Sequence, residues 1–383
     1  MAIDKAQQDI TNRLAHTSCR LRTFPGMEPL DTDYLPDRTL LHAGREYLFC
    51  SGTGYLGMAR NPEFARLLAE GLARYGTNYS SSRGSNLRLR IYEEAEAHLA
   101  RLTGAAATLT VSSGYLAGQM AVKALAGAGC FEYAPGTHPA AWLAEAPAAA
   151  PEAGSHAAWA AHLLGRLRLE PPTPVVIVSN SLDPLRACRY DFAWTEQLPS
   201  DRPITLLIDD SHGFGITGPN GAGIFPTLRV PPSVRVVVVT SLGKACGIPG
   251  GAVLASDAGF VAGLRRSAFF AASSPVVPAY LWAFVRAENL YTAARQQLAA
   301  NVVQFEQAVA AIRLLESFEG FPVWYTAHAP LADLLLARGI WISSFPYPAP
   351  TDPPITRIVL SALHTTEDVA RVAEAVCTVA RTL

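Results

Sequence analysis

The sequence predicts an α/β protein: a large domain built on a mostly parallel, doubly wound sheet, followed by a smaller α+β domain. Three observations lead there. The runs TPVVIVSN (173–180), ITLLIDD (204–210) and VRVVVVTS (234–241) are short, apolar and without alternation. Strands buried on both faces read this way, and helices packed over a parallel sheet create that environment. Segments of helical period surround them, including YEEAEAHLARL (92–102) and LAGQMAVKALAG (116–127). Beyond about residue 285 the pattern changes to a long helix, short strands and a closing helix. The expected boundaries are an N-terminal segment at 1–45, a large domain at 46–285 and a small domain at 286–383.

Composition narrows the function. Half of the 383 residues are hydrophobic, 16% are charged and the net charge is −1. A large core follows, and non-specific nucleic-acid binding does not. The polar N-terminus lacks the apolar stretch of a signal peptide, and no run approaches the roughly 20 apolar residues of a bilayer span. Six scattered cysteines show no CxxC pair and no metal-ligand spacing, which predicts reduced thiols in a cytoplasmic protein. The Ala/Pro-rich stretch 139–170 predicts surface helix with irregular connections.

The polar residues cluster at strand ends. The three runs finish in Ser179-Asn180, in Asp209-Asp210-Ser211-His212, and in Thr240-Ser241 just ahead of Lys244. Ligands of open α/β sheets bind beyond the carboxyl ends of the strands, so Asp209, His212 and Lys244 are predicted to meet in one pocket. VSSGYLAG (111–118) adds Ser113, Gly114 and Tyr115 at the start of a helix, where free N–H groups and the helix dipole favour a phosphate. GTGYLG (52–57) matches G-x-G-x-x-G, but the proline-containing segment after it does not continue a dinucleotide-binding unit.

Lys244 is one of three lysines; 31 lysines and arginines in all leave 28 arginines. An amine among apolar neighbours has a lowered pKa and attacks carbonyls, whereas a guanidinium stays protonated. A reactive amine, a carboxylate, a histidine and a phosphate cradle together suit pyridoxal phosphate.

At these residues the chain resembles the α-oxoamine synthases, a branch of the fold-type I, aspartate aminotransferase-like pyridoxal-phosphate enzymes. The similar stretches are 75–118, LLIDDSHGFGITGPNGAG (206–223), TSLGKACGIPGGAVL (240–254), SSPVVP (273–278) and ITRIVLSALHT (355–365). IDDSHGFG followed about thirty residues later by TSLGK is the most specific pair. The resemblance implies that Lys244 forms the Schiff base with the cofactor and acts as acid/base at the substrate Cα. Asp209 would pair with the pyridinium nitrogen, His212 would bond the phenolic oxygen, and His138 would stack on the ring. Ser113, Gly114, Tyr115 and Ser241 would hold the phosphate, and Ser179 is a further candidate cofactor contact. Ser273 and Ser274 match a pair reaching the neighbouring subunit's phosphate, which implies a homodimer with shared active sites. Arg357 would grip the amino-acid carboxylate.

The departures lie at the substrate end. Thr53 stands where the family has asparagine, Phe345 where it has an arginine, Tyr92 where it has a histidine, and Asn180 where an acid is usual. The implied reaction condenses a small amino acid with an acyl thioester, on coenzyme A or an acyl-carrier protein, and releases CO₂ and an amino ketone. An aminotransferase, decarboxylase or racemase would use the same Lys244 and Asp209, and a non-catalytic cofactor-binding module is a further alternative.

Overall fold

The computed structural model describes residues 30–144, 155–347, 349 and 351–381. Lys5, Cys19, most of the expected N-terminal segment and the middle of the Ala/Pro-rich stretch lie outside the described residues. Thirteen strands run through those that are described. They are β1 (Thr39–His42), β2 (Arg45–Cys50), β3 (Ala107–Val111), β4 (Cys130–Tyr133), β5 (Val175–Asn180), β6 (Leu182–Asp183) and β7 (Cys188–Arg189). β8 (Ile204–Asp209), β9 (Val234–Ser241), β10 (Gly251–Ala255), β11 (Val323–Thr326), β12 (Ile340–Pro346) and β13 (Pro354–Val359) complete the set.

The large sheet has the order β3-β10-β9-β8-β5-β4. Its β4-β5, β5-β8 and β8-β9 pairs are parallel, while β10 runs antiparallel to both neighbours. The three apolar runs are β5, β8 and β9, and their burial is close to continuous. Alternate side chains enter two different cores. Ile177, Leu206, Ile208, Val236 and Val238 pack on the side of Trp159 and Leu163. Val176, Val178, Leu207, Val237 and Val239 pack on the side of Ala117, Met120 and Ala121, which belong to the helix Gly114–Ala124. This period of two decides which strand-end residues face that helix.

The second sheet, β1-β2-β12-β13-β11, joins the two ends of the chain. β2 pairs in parallel with β12, Leu48 opposite Ile340. Residues 39–50 therefore belong with the C-terminal sheet, where the sequence predicted an N-terminal segment ending at 45 and a large domain beginning at 46. The 22-residue helix Glu288–Val309 leads from one part to the other, and Asn301 fastens it by donating to the carbonyls of Ser361 and His364.

Candidate active site

Parallel strands β5, β8 and β9 end side by side, with Asn180 opposite Asp209 and Asp209 opposite Val239. Asn180, Asp209 and Ser241 all fall on the face toward the helix Gly114–Ala124. Ser113 caps that helix, its hydroxyl accepting the Leu116 N–H at 3.1 Å. The N–H groups of Gly114 and Tyr115 have no earlier turn to donate to, so they point outward at the positive end of the dipole. Gly114 is required by proximity: a Cβ there would stand 2.7 Å from Ser241 Cβ and 2.9 Å from its Cα. The helix start is thereby pressed against the end of β9. Ser241 N–H donates to Ser211 Oγ at 3.0 Å, which ties the ends of β8 and β9 together.

Asp209 is 8% exposed and accepts the Ser211 N–H at 2.9 Å. Lys244 follows in a tight loop closed by Leu242 N–H to the Gly250 carbonyl and Ile248 N–H to the Leu242 carbonyl. Burial lowers the Lys244 pKa, and the Asp209 carboxylate opposes that shift. His212 is held well below its ordinary value, first by burial and then by Lys244, Arg357 and His138. It is therefore a neutral imidazole, with Nδ1 2.9 Å from the Tyr55 hydroxyl.

His138 is carried on the loop after β4. Asn180 fixes that loop from both ends of its amide, accepting the His138 N–H at 3.1 Å and donating to the Gly136 carbonyl at 2.7 Å. An acid has no hydrogen to donate to Gly136, so asparagine suits this loop as it is built. His138 Nδ1 accepts the Ala140 N–H, and burial lowers its pKa while Asp209 opposes.

Arg357 enters from β13. It is 6% exposed, its Nη1 donates to the Pro184 carbonyl at 2.7 Å, and its Nε is buried with no partner. Burial lowers its pKa, with Tyr55, Asp183 and Tyr347 opposing. Phe345 lies on β12 with its ring centroid 5.8 Å from the guanidinium carbon. Thr53 is half-buried in the loop after β2, and Tyr347, which sequence reasoning missed, is electrostatically coupled to both Arg357 and Asp209.

One expectation parts from the geometry. Ser179 sits on the opposite face of β5: it is wholly buried, its hydroxyl bonds His156 Nε2 at 3.1 Å and donates to the Asn180 carbonyl. It serves the packing of His156, not the cavity. Ser273 and Ser274 lie between the helices Ala268–Ala272 and Pro278–Arg286, and the Ser273 hydroxyl donates to the Phe269 carbonyl. Tyr92 is structural, its hydroxyl donating to the Val276 carbonyl at 2.9 Å in the core.

The arrangement fits pyridoxal phosphate. A lysine with a depressed pKa faces a buried carboxylate, a helix start stands open beside Ser241, and a buried guanidinium keeps an unused donor. Comparison with known proteins agrees. A family model for aminotransferases of class I and II matches residues 196–376. An 8-amino-7-oxononanoate synthase of Dechloromonas aromatica (strain RCB) is 30% identical over 355 residues, covering 86% of this chain and 88% of the relative. The enzyme of the same name from Aromatoleum aromaticum is 30% identical over 347 residues, 87% of this chain and 89% of the relative. The structure is similar to a serine palmitoyltransferase of Sphingomonas wittichii, with TM-score 0.78 and 19% identity over 99% of this chain and 98% of that one. It is also similar to an 8-amino-7-oxononanoate synthase of Francisella tularensis, with TM-score 0.63 and 18% identity over 88% of this chain and 98% of the other. The chain belongs to the α-oxoamine synthase family of pyridoxal-phosphate-dependent, fold-type I enzymes.

Proposed function

We propose that this enzyme joins a small amino acid to an acyl thioester, releasing the thiol and CO₂ and leaving an α-amino ketone. The observation that carries the reading is Lys244 at the end of β9 facing Asp209 at the end of β8, in a chain of this family. When bound, pyridoxal phosphate supplies an electron sink for the charge left at the amino acid's α-carbon.

Lys244 would hold the cofactor covalently between turnovers, and burial keeps a fraction of its amine neutral enough to do so. Once displaced by the amino acid, the same amine is the base that takes the α-proton. Asp209 would keep a proton on the cofactor's ring nitrogen, His212 would meet its phenolic oxygen, and His138 would cover one face. Ser113, Gly114, Tyr115 and Ser241 would hold its phosphate. Arg357 would bind the substrate carboxylate through the Nε that has no protein partner. The deprotonated α-carbon would attack the thioester carbonyl with loss of the thiolate, the carboxylate would leave as CO₂, and the proton held by Lys244 would return to the α-carbon.

Phe345, against the Arg357 guanidinium, and Thr53 would present less polar surface to the substrates than an arginine and an asparagine. By the family resemblance, Ser273 and Ser274 would reach the cofactor phosphate of a second copy, in a homodimer with shared active sites. The five described cysteines are free thiols, in keeping with a reducing cytoplasm. No helix among the described residues is long and apolar enough to cross a membrane.

Thiol release tests the reaction. Purified, cofactor-loaded enzyme is offered single amino acids with acyl-CoA or with acyl-carrier protein. Release of free thiol with stoichiometric CO₂ from one pairing supports condensation, and the productive donor identifies the carrier. CO₂ without thiol release, or conversion of the cofactor wholly to its amine form, would assign a decarboxylase or an aminotransferase instead.

A further inference from the structure

The GTGYLG loop (52–57) packs closely against the segment after β13. Gly57 has φ +64°, and a Cβ there would lie 2.4 Å from Leu363 Cγ. The Ala362 N–H donates to the Tyr55 carbonyl at 2.8 Å. The loop is thus clamped onto the segment after β13, and its product is the placement of Tyr55. That side chain is 1% exposed, packs at 6.2 Å against the Phe321 ring, and brings its hydroxyl to 2.9 Å from His212 Nδ1.

Two arrangements satisfy that distance. In one the phenol donates to a bare Nδ1; in the other Nδ1–H donates to the phenol oxygen. The second leaves the phenol hydrogen without an acceptor, because His212 is the only hydrogen-bond partner of the Tyr55 hydroxyl among the described residues. A buried donor left unpaired costs about 1–3 kcal/mol, so the first arrangement prevails. Burial also holds Tyr55 far above its ordinary ionisation range, so the phenol is there to donate. Neutral His212 carries one ring hydrogen, and with Nδ1 occupied as acceptor it must sit on Nε2.

We propose that Tyr55 is a positioning residue that fixes the tautomer of His212, making Nε2–H the one donor this imidazole offers to the cavity. Only the last step, that Nε2–H faces the cofactor's phenolic oxygen, rests on the function proposed above. The tautomer itself does not.

The test uses the full chain with ring-¹⁵N histidine, the His212 signals being identified by their loss in His212→Gln. Spectra are taken before and after cofactor is added. The expected result is a pyridine-type shift at Nδ1 and a pyrrole-type shift at Nε2 in both. Tyr55→Phe, which keeps the ring packing, should average the two shifts and weaken cofactor binding roughly five- to tenfold. Protonated Nδ1 in the unsubstituted protein overturns the proposal, as do unchanged His212 shifts in Tyr55→Phe. If Tyr55→Phe does not fold, the unsubstituted protein's shifts decide alone. A protein that shows the expected tautomer but takes up no cofactor supports the Tyr55 assignment and overturns the reading of the site.

Discussion

Replacing Arg357 with lysine should separate charge from geometry at the substrate end. The guanidinium spends Nη1 on the Pro184 carbonyl at 2.7 Å and keeps Nε buried without a partner. A lysine has a single nitrogen. If that nitrogen turns to Pro184, no donor remains where the substrate carboxylate would bind; if it turns to the substrate, the Pro184 carbonyl loses its donor. A hydrogen bond to a charged group contributes about 1.5–3 kcal/mol, and 1.4 kcal/mol is tenfold. Arg357→Lys should therefore raise the amino-acid KM roughly ten- to 150-fold. The acyl-donor KM should move much less, because the role proposed for Arg357 is confined to the amino-acid carboxylate. The assay is thiol release with each substrate varied at saturating concentrations of the other. It is paired with titration of the bound cofactor's visible spectrum by amino acid alone. An unchanged amino-acid KM, or a loss confined to the acyl donor, would refute the assignment of Arg357 to the carboxylate.

Two further outcomes follow from packing and titration. Gly114→Ala drives a methyl into the Ser241 backbone, so it should cost about 1–3 kcal/mol in urea unfolding and loosen cofactor binding with it. His156 is 7% exposed and burial lowers its pKa from 6.5 to about 4, so the unfolded chain binds the proton more readily. Its contribution is whole above pH 6.5 and is lost as pH falls toward 4, by about 3 kcal/mol in all. Urea midpoints of the His156→Phe variant should fall less steeply over that window than those of the parent, and equal slopes would exclude His156 as the source.

The cofactor end was legible because its residues obey simple placement rules. Continuous apolar runs marked β5, β8 and β9, and the polar residues that end them mark the carboxyl edge of the sheet. Ser113 and Gly114 announced a helix start, and Lys244 stood out by residue type alone. Ser179 was misplaced by one position of alternation. Val176, Val178 and Asn180 share a face with Leu207 and Asp209, so Ser179 had to point the other way, toward His156. That signal lay in the period of two once the strand bounds were fixed. Asn180 was read as the loss of an acid, although its two-ended grip on Gly136 and His138 depends on a loop path no local pattern encodes. β3 and β10 passed unnoticed since both are short and pair with each other across about 140 residues. The pairing of β2 with β12 joins residues nearly 300 positions apart, and tertiary packing alone specifies it. Tyr55 stayed hidden inside a glycine motif with another meaning in other folds.

Lys244 is the residue proposed to carry the cofactor. Borohydride reduction of the cofactor-loaded protein, followed by peptide mass mapping, tests it directly. The expected result is one reduced pyridoxyl adduct per chain, on the peptide containing Lys244, and none in Lys244→Ala. An adduct on Lys123 instead, or no adduct in a protein that still turns over substrate, would contradict it.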